Sequence, residues 1–121
     1  VKEALSALKA GGAELCILTN KLQKFAQQAL ELHGIAHNFS LVLGGDSFAE
    51  KKPNPRGVLY CMERFQATQE NTLYVGDSST DVQTARNAGV AVWALPYGYN
   101  HGVPIEQSQP DRLITDLSVF L

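Results

Sequence analysis

Apolar positions along the chain fall into two alternating rhythms, and their alternation sets the fold class before any single residue is weighed. Val1, Ala4, Leu5 and Leu8 recur at helical spacing, and Gly11-Gly12 stops that helix. The short run Leu15 to Leu18 follows and ends in Thr19-Asn20, a strand meeting a turn. Lys21 to His33 reads as an amphipathic helix, with Leu22, Phe25, Ala26, Ala29 and Leu32 on one face and Gly34 as its stop. Phe39 to Leu43 is a second strand-like run, closed by Gly44-Gly45-Asp46. After a polar loop from Phe48 to Asn54, Asn54 serves as cap and Pro55 as first residue of a helix faced by Val58, Leu59, Met62 and Phe65. Leu73 to Val75 is a third apolar run. Gly76 and Asp77 then turn the chain into a helix that ends at Ala88 and Gly89. Val90 to Leu95 is the fourth run, and the Gly-, Pro- and Tyr-rich stretch Pro96 to Pro110 predicts a loop. Arg112 to Leu121 predicts a short strand or turn and a small helix from Asp116. Strand and helix alternate throughout. The expectation is an α/β fold, a mainly parallel sheet with flanking helices, in one domain over residues 1–121.

Composition changes this picture little. Hydrophobic residues make up 45% and charged residues 18% of the 121, an ordinary globular balance rather than a disordered one. A formal net charge of −2 supplies no electrostatic footprint for nucleic acid. No apolar run is long enough to span a membrane, and no signal-peptide pattern opens the sequence, so no membrane partner is expected. Cys16 and Cys61 lie inside apolar periodic segments without metal-type spacing, which reads as reduced, buried, structural thiols of a cytoplasmic protein. Val1 stands where Met would open a gene product, and a helical pattern begins at once; the expectation is a piece of something longer.

Candidate chemistry gathers where strands end. Asn20 with Gln23 fits a capping box, and the same turn suits an anion, with the Thr19 hydroxyl and nearby N–H groups holding a phosphoryl oxygen. Lys51 and Lys52 precede Pro53-Asn54-Pro55. Proline disfavours the helical region for its predecessor, so Lys52 is held extended and its ammonium can be aimed, while Lys51 reads as its solvated neighbour. Asp77 and Asp81, four apart with hydroxyls between, are hard oxygen ligands suited to Mg²⁺. Ser78 and Asp81 also fit a capping box, whereas Asp77 precedes any helix, so a metal role suits Asp77 better. His33 and His37 are separated by the helix-ending Gly34 and read as surface residues, and nothing requires His101 in its Gly-rich loop. Phosphate-binding loops of the NTPase kind, dinucleotide fingerprints and the G-x-S-x-G elbow are all absent.

Taken in order, Thr19-Asn20 at a strand end, the Lys52-Pro53 turn and Gly76-Asp77-x-x-x-Asp81 resemble the second, third and fourth motifs of the haloacid dehalogenase superfamily. The stretches GGDSFAEKKPNP, YVGDSSTDVQTARNAG and YGYNHG extend the likeness over nearly the whole chain. The resemblance implies a Rossmann-like core and a Mg²⁺-dependent phosphatase for a small phosphorylated metabolite such as 2-phosphoglycolate. It implies that Thr19 and Asn20 bind the phosphoryl group, that Lys52 neutralises charge on nucleophile and phosphate, and that Asp77 ligates Mg²⁺. Asp81 would ligate the metal too or orient its waters. The family's nucleophilic D-x-D-x-[TV] motif is absent, since no aspartate precedes Asp46, and so is a helical cap domain. The missing strand would be the central one, between Leu15–Leu18 and Leu73–Val75. The chain alone is therefore expected to be inactive, with completion by an N-terminal segment or self-association. The alternatives are a truncated homologue that binds phosphate or a protein without catalysis, and a phosphatase for a sugar phosphate or pyrophosphate.

Overall fold

The computed structural model describes residues 2–49, 52–96 and 105–120. The chain divides into two compact units, Val1–Lys51 with Leu117–Leu121, and Lys52–Asp116. Lys51, His101 and most of the loop before Pro110 lie outside the described residues.

The first unit contains α1 (Lys2–Ala10), β1 (Cys16–Leu18), α2 (Gln23–Leu32), a 3₁₀ turn at Ala36–Asn38, β2 (Leu41–Leu43) and a 3₁₀ turn at Leu117–Phe120. β1 and β2 pair in parallel, Cys16 opposite Leu41 and Leu18 opposite Leu43, with α2 as the crossover that parallel pairing demands. Ala4, Leu5, Ala26 and Leu43 are its buried apolar residues, and the Leu117–Phe120 turn packs on α1. Of the apolar stripe expected on α2, Ala26 alone is buried, while Leu22 and Phe25 are about half exposed and Leu32 is 85% exposed. A two-stranded sheet is too narrow to cover a stripe of that width.

Helix α2 also begins later than the sequence suggests. It starts at Gln23 with Leu22 at the cap position and no side-chain cap, so the expected Asn20–Gln23 capping box does not form. Asp46 satisfies the helix start instead, its carboxylate accepting the Gln23 N–H at 2.9 Å. Gly44 and Gly45 make this reach possible. A Cβ on Gly44 would collide with the Gln23 backbone and one on Gly45 with the Asn20 carbonyl, and Gly45 N–H donates to the Lys21 carbonyl at 2.7 Å. The neighbours are backbone and cannot rotate aside. Gly44→Ala is therefore expected to destabilise the protein by about 3 kcal/mol, the upper end for overpacking, in a urea titration. Gly11→Ala, whose Cβ would meet only ordinary contacts at 3.5 Å, is the control and should cost far less.

The second unit contains α3 (Arg56–Arg64), β3 (Leu73–Gly76), α4 (Ser79–Ala88), β4 (Ala91–Ala94), a 3₁₀ turn at Ile105–Ser108 and β5 (Arg112–Leu113). Its strands run β3-β4-β5, all parallel, with Leu73 opposite Ala91, Gly76 opposite Ala94 and Trp93 opposite Arg112. Val82, Ala85 and Ala88 of α4 meet Val58, Val90, Val92, Ala94, Ile105 and Ile114 in the buried set. Gly89 closes α4 in the left-handed region at φ 76°, as its position after Ala88 predicts. Asn54 accepts the Arg56 N–H at 2.9 Å, and Pro55, expected as first residue of α3, sits one position earlier as its cap. The Arg86 fork grips the Asp111 carboxylate at 2.9 and 3.2 Å, and Asp111 also accepts from Val92 N–H, tying α4 and β4 to the chain entering β5.

The α/β class and the parallel pairing follow the sequence reading. Among the described residues β1 pairs with β2 alone and β3 with β4 alone, so each ends its sheet. No described helix is long and apolar enough to cross a membrane.

Candidate active site

In the second unit the chemistry collects at the C-terminal end of β3. The strand carries Leu73 to Gly76 into the Asp77-Ser78 turn, and α4 begins at Ser79. Ser78 caps α4: its hydroxyl oxygen accepts the Asp81 N–H at 3.3 Å and its O–H donates to Asp81 Oδ2 at 3.1 Å. The turn is tight enough that Gly76 needs its missing Cβ, which would collide with the Asp81 carboxyl group. Asp77 is exposed there, at the carboxyl end of a parallel strand where open α/β sheets place their ligands.

Asp81 faces inward, only 6% exposed, and both its oxygens are occupied. Oδ1 accepts from Lys52 Nζ at 2.7 Å and from the Tyr74 hydroxyl at 2.9 Å. Oδ2 accepts from Asp77 N–H at 3.0 Å as well as from Ser78. Four donors fill the roughly four lone-pair positions of a carboxylate. Burial works against its charge, but the Lys52 ammonium and the hydrogen bonds outweigh it and hold the carboxyl below its usual range. The Tyr74 phenol is pushed far above its ordinary value, first by burial and then by the negative charge of Asp81, so it stays protonated and donating. The Lys52 side chain is 14% exposed, and the residue begins a cis Lys52-Pro53 peptide. An ammonium has three N–H donors, so the one spent on Asp81 leaves two.

Thr19 and Asn20 belong to the first unit. The Thr19 N–H extends the β1–β2 ladder to the Leu43 carbonyl at 3.1 Å, and its hydroxyl oxygen accepts the Lys21 N–H at 3.1 Å. Asn20 is exposed. With Lys21 N–H on Thr19 and Gln23 N–H on Asp46, two of the turn's backbone donors are engaged; the Thr19 hydroxyl proton is left as a donor for a ligand.

Among the sequence-predicted residues the structure thus brings together Lys52, Asp77 and Asp81, and presents Thr19 and Asn20 at the end of β1. His33 and His37 are both exposed, with Gly34 at φ 70° between them. Cys16 and Cys61 form no disulfide and are half-buried rather than buried. Tyr74 and Asp46 escaped the sequence reading, the one hidden in an apolar run and the other in a glycine turn. No group of three or more His, Cys, Asp or Glu suited to a metal occurs among the described residues. At the end of β3 Asp77 offers an exposed carboxylate, a partial fit to Mg²⁺, which usually takes one or two carboxylates with waters and phosphate.

The chain belongs to the haloacid dehalogenase-like hydrolase family, whose family model matches residues 1–95. Phosphoglycolate phosphatase of Vibrio vulnificus (strain YJ016) is 50% identical over all 121 residues, which cover 53% of that protein. Its counterpart in Pseudomonas putida (strain KT2440) is 40% identical, with 44% of its length covered. The chain spans about half the length of the curated relatives it matches. A crystal structure of a predicted phosphoglycolate phosphatase from Haemophilus somnus matches 98% of the chain at a TM-score of 0.94 and 46% identity, with 52% of that structure covered.

Proposed function

We propose that the chain acts as part of a complete phosphatase that hydrolyses a small phosphomonoester such as 2-phosphoglycolate with the help of Mg²⁺. The observation that carries this reading is the Lys52 ammonium held on Asp81 beside exposed Asp77 at the end of β3. Lys52 offsets the charge that gathers on the transferring phosphoryl group. Thr19 and Asn20 hydrogen-bond phosphoryl oxygens. Asp77 holds Mg²⁺, which when bound supplies a Lewis acid toward those oxygens. Asp81 serves mainly by fixing Lys52, its oxygens being already occupied by donors. Covalent hydrolysis needs a carboxylate nucleophile, and no aspartate precedes Asp46 here, so the chain by itself is not expected to turn over. Cys16 and Cys61, which form no disulfide, suit a cytoplasmic protein.

The test is substrate profiling of the complete protein with and without Asp77→Asn, paired with calorimetry against MgCl₂. The wild type is expected to favour 2-phosphoglycolate and the variant to lose at least about a hundredfold in kcat together with its Mg²⁺ affinity. A wild type inert toward every phosphomonoester would favour a non-catalytic homologue. Preference for a sugar phosphate or pyrophosphate would move the substrate, and unchanged Mg²⁺ binding by the variant would sink the role given to Asp77.

A further inference from the structure

We propose that Tyr74 is a positioning residue for Lys52, acting through the oxygen of Asp81 that the two share. The inference deepens the proposed function and rests on its reading of Lys52. Tyr74 sits on β3, in register with Val92 of the neighbouring strand, so its backbone is fixed by the ladder. A tyrosine side chain has only two rotatable bonds, and its hydroxyl is therefore a nearly stationary point. That hydroxyl meets Asp81 Oδ1 at 2.9 Å, where Lys52 Nζ arrives at 2.7 Å. Asp77 N–H and the Ser78 hydroxyl hold the other oxygen at 3.0 and 3.1 Å. With all four donors in place the carboxylate cannot rotate, and the flexible lysine is presented to one oxygen position alone.

Tyr74 has a second effect. Lys52 and Asp81 form a partly buried ion pair, 14% and 8% exposed. A phenol donating to the same oxygen occupies its second lone pair, so Lys52 meets Oδ1 through one N–H at 2.7 Å and its other two N–H bonds are left to a ligand. Removing the hydroxyl alone should let the carboxylate turn and move the ammonium with it, while the ring keeps its packing.

The experiment uses the complete protein, Tyr74→Phe, Lys52→Ala and the double variant. In ¹⁵N-lysine spectra the shielded Lys52 ammonium is expected to give a slowly exchanging signal that Tyr74→Phe shifts and broadens. Tyr74→Phe is expected to lower kcat about tenfold with KM little changed, the worth of one hydrogen bond in the transition state. In the Lys52→Ala background the same substitution is expected to change kcat less than about twofold, because its effect passes through Lys52. Equal losses in both backgrounds, or an unmoved Lys52 signal, would overturn the proposal. If Lys52→Ala leaves kcat intact, the reading of Lys52 falls instead. The ammonium signal then decides on Tyr74 alone, a shift supporting the positioning and an unchanged signal refuting it.

Discussion

If the proposed function holds, replacing Lys52 by Ala in the complete protein is expected to reduce kcat on the order of a hundred- to thousandfold, about 3–4 kcal/mol of transition-state stabilisation. Replacing Lys51 should cost almost nothing. The contrast follows from what fixes each charge. The sequence makes Lys51 the solvated neighbour, and a hydrated lysine that samples many rotamers directs little of its field at a bound ligand. Lys52 has its ammonium seated on Asp81 at 2.7 Å with 14% of the side chain exposed, so its charge is already oriented and poorly screened. Lys52→Arg should recover little, because a planar fork cannot take the place of a compact ammonium beside the Tyr74 hydroxyl. Steady-state kinetics on the three variants decide the matter. Equal losses at positions 51 and 52 would mean that the turn at Pro53 does not single out Lys52.

Asp81→Asn is expected to be the most destabilising conservative change in the chain, about 3–5 kcal/mol, because it leaves a largely buried ammonium without its counter-charge. It also turns an amide N–H toward one of the donors that now share the carboxylate. The same group sets a pH dependence. The folded Asp81 carboxyl titrates below the ordinary aspartate value that the unfolded chain keeps, so on acidification the unfolded chain takes up its proton first. Its contribution is complete above the unfolded value and disappears as pH falls through the folded one. Asp111, lowered by its hydrogen bond from Arg86, acts in the same direction, with a smaller effect because the pair is 41% exposed on both sides. Urea titrations from about pH 3 to about pH 6 should show stability rising with pH in the wild type and a flatter profile in Asp81→Asn. Equal slopes would mean that Asp81 does not stay charged in the folded protein.

What the sequence reveals of this site is what short-range chemistry determines. The Gly76-Asp77-Ser78 turn and the left-handed Gly89 are each dictated by neighbours within four residues, and both stand as read. Pro53 marks Lys52 in the sequence, but the lysine's seat on Asp81 lies 29 positions away and has no local signature. Asp46 capping α2 across 23 positions is the same case, and it explains why the start of α2 shifts from Lys21 to Gln23. Tyr74 is unreadable for another reason. In an apolar run a tyrosine contributes its ring to the periodicity, and only the partner of its hydroxyl distinguishes packing from chemistry. The stripe on α2 marks the opposite limit: periodicity shows which face is apolar, not how much surface will be available to cover it.

The division of the chain also dictates an order of events during synthesis. Lys52–Asp116 is one uninterrupted stretch, whereas the first unit draws its last piece from Leu117–Leu121, beyond that stretch. The β1–β2 and β3–β4 pairings each close across a single helix, so both ladders can zip soon after their second strand leaves the ribosome. The unit that begins first therefore finishes last. α1 emerges ahead of that stretch and waits, through the whole translation of Lys52–Asp116, for the turn that packs on it.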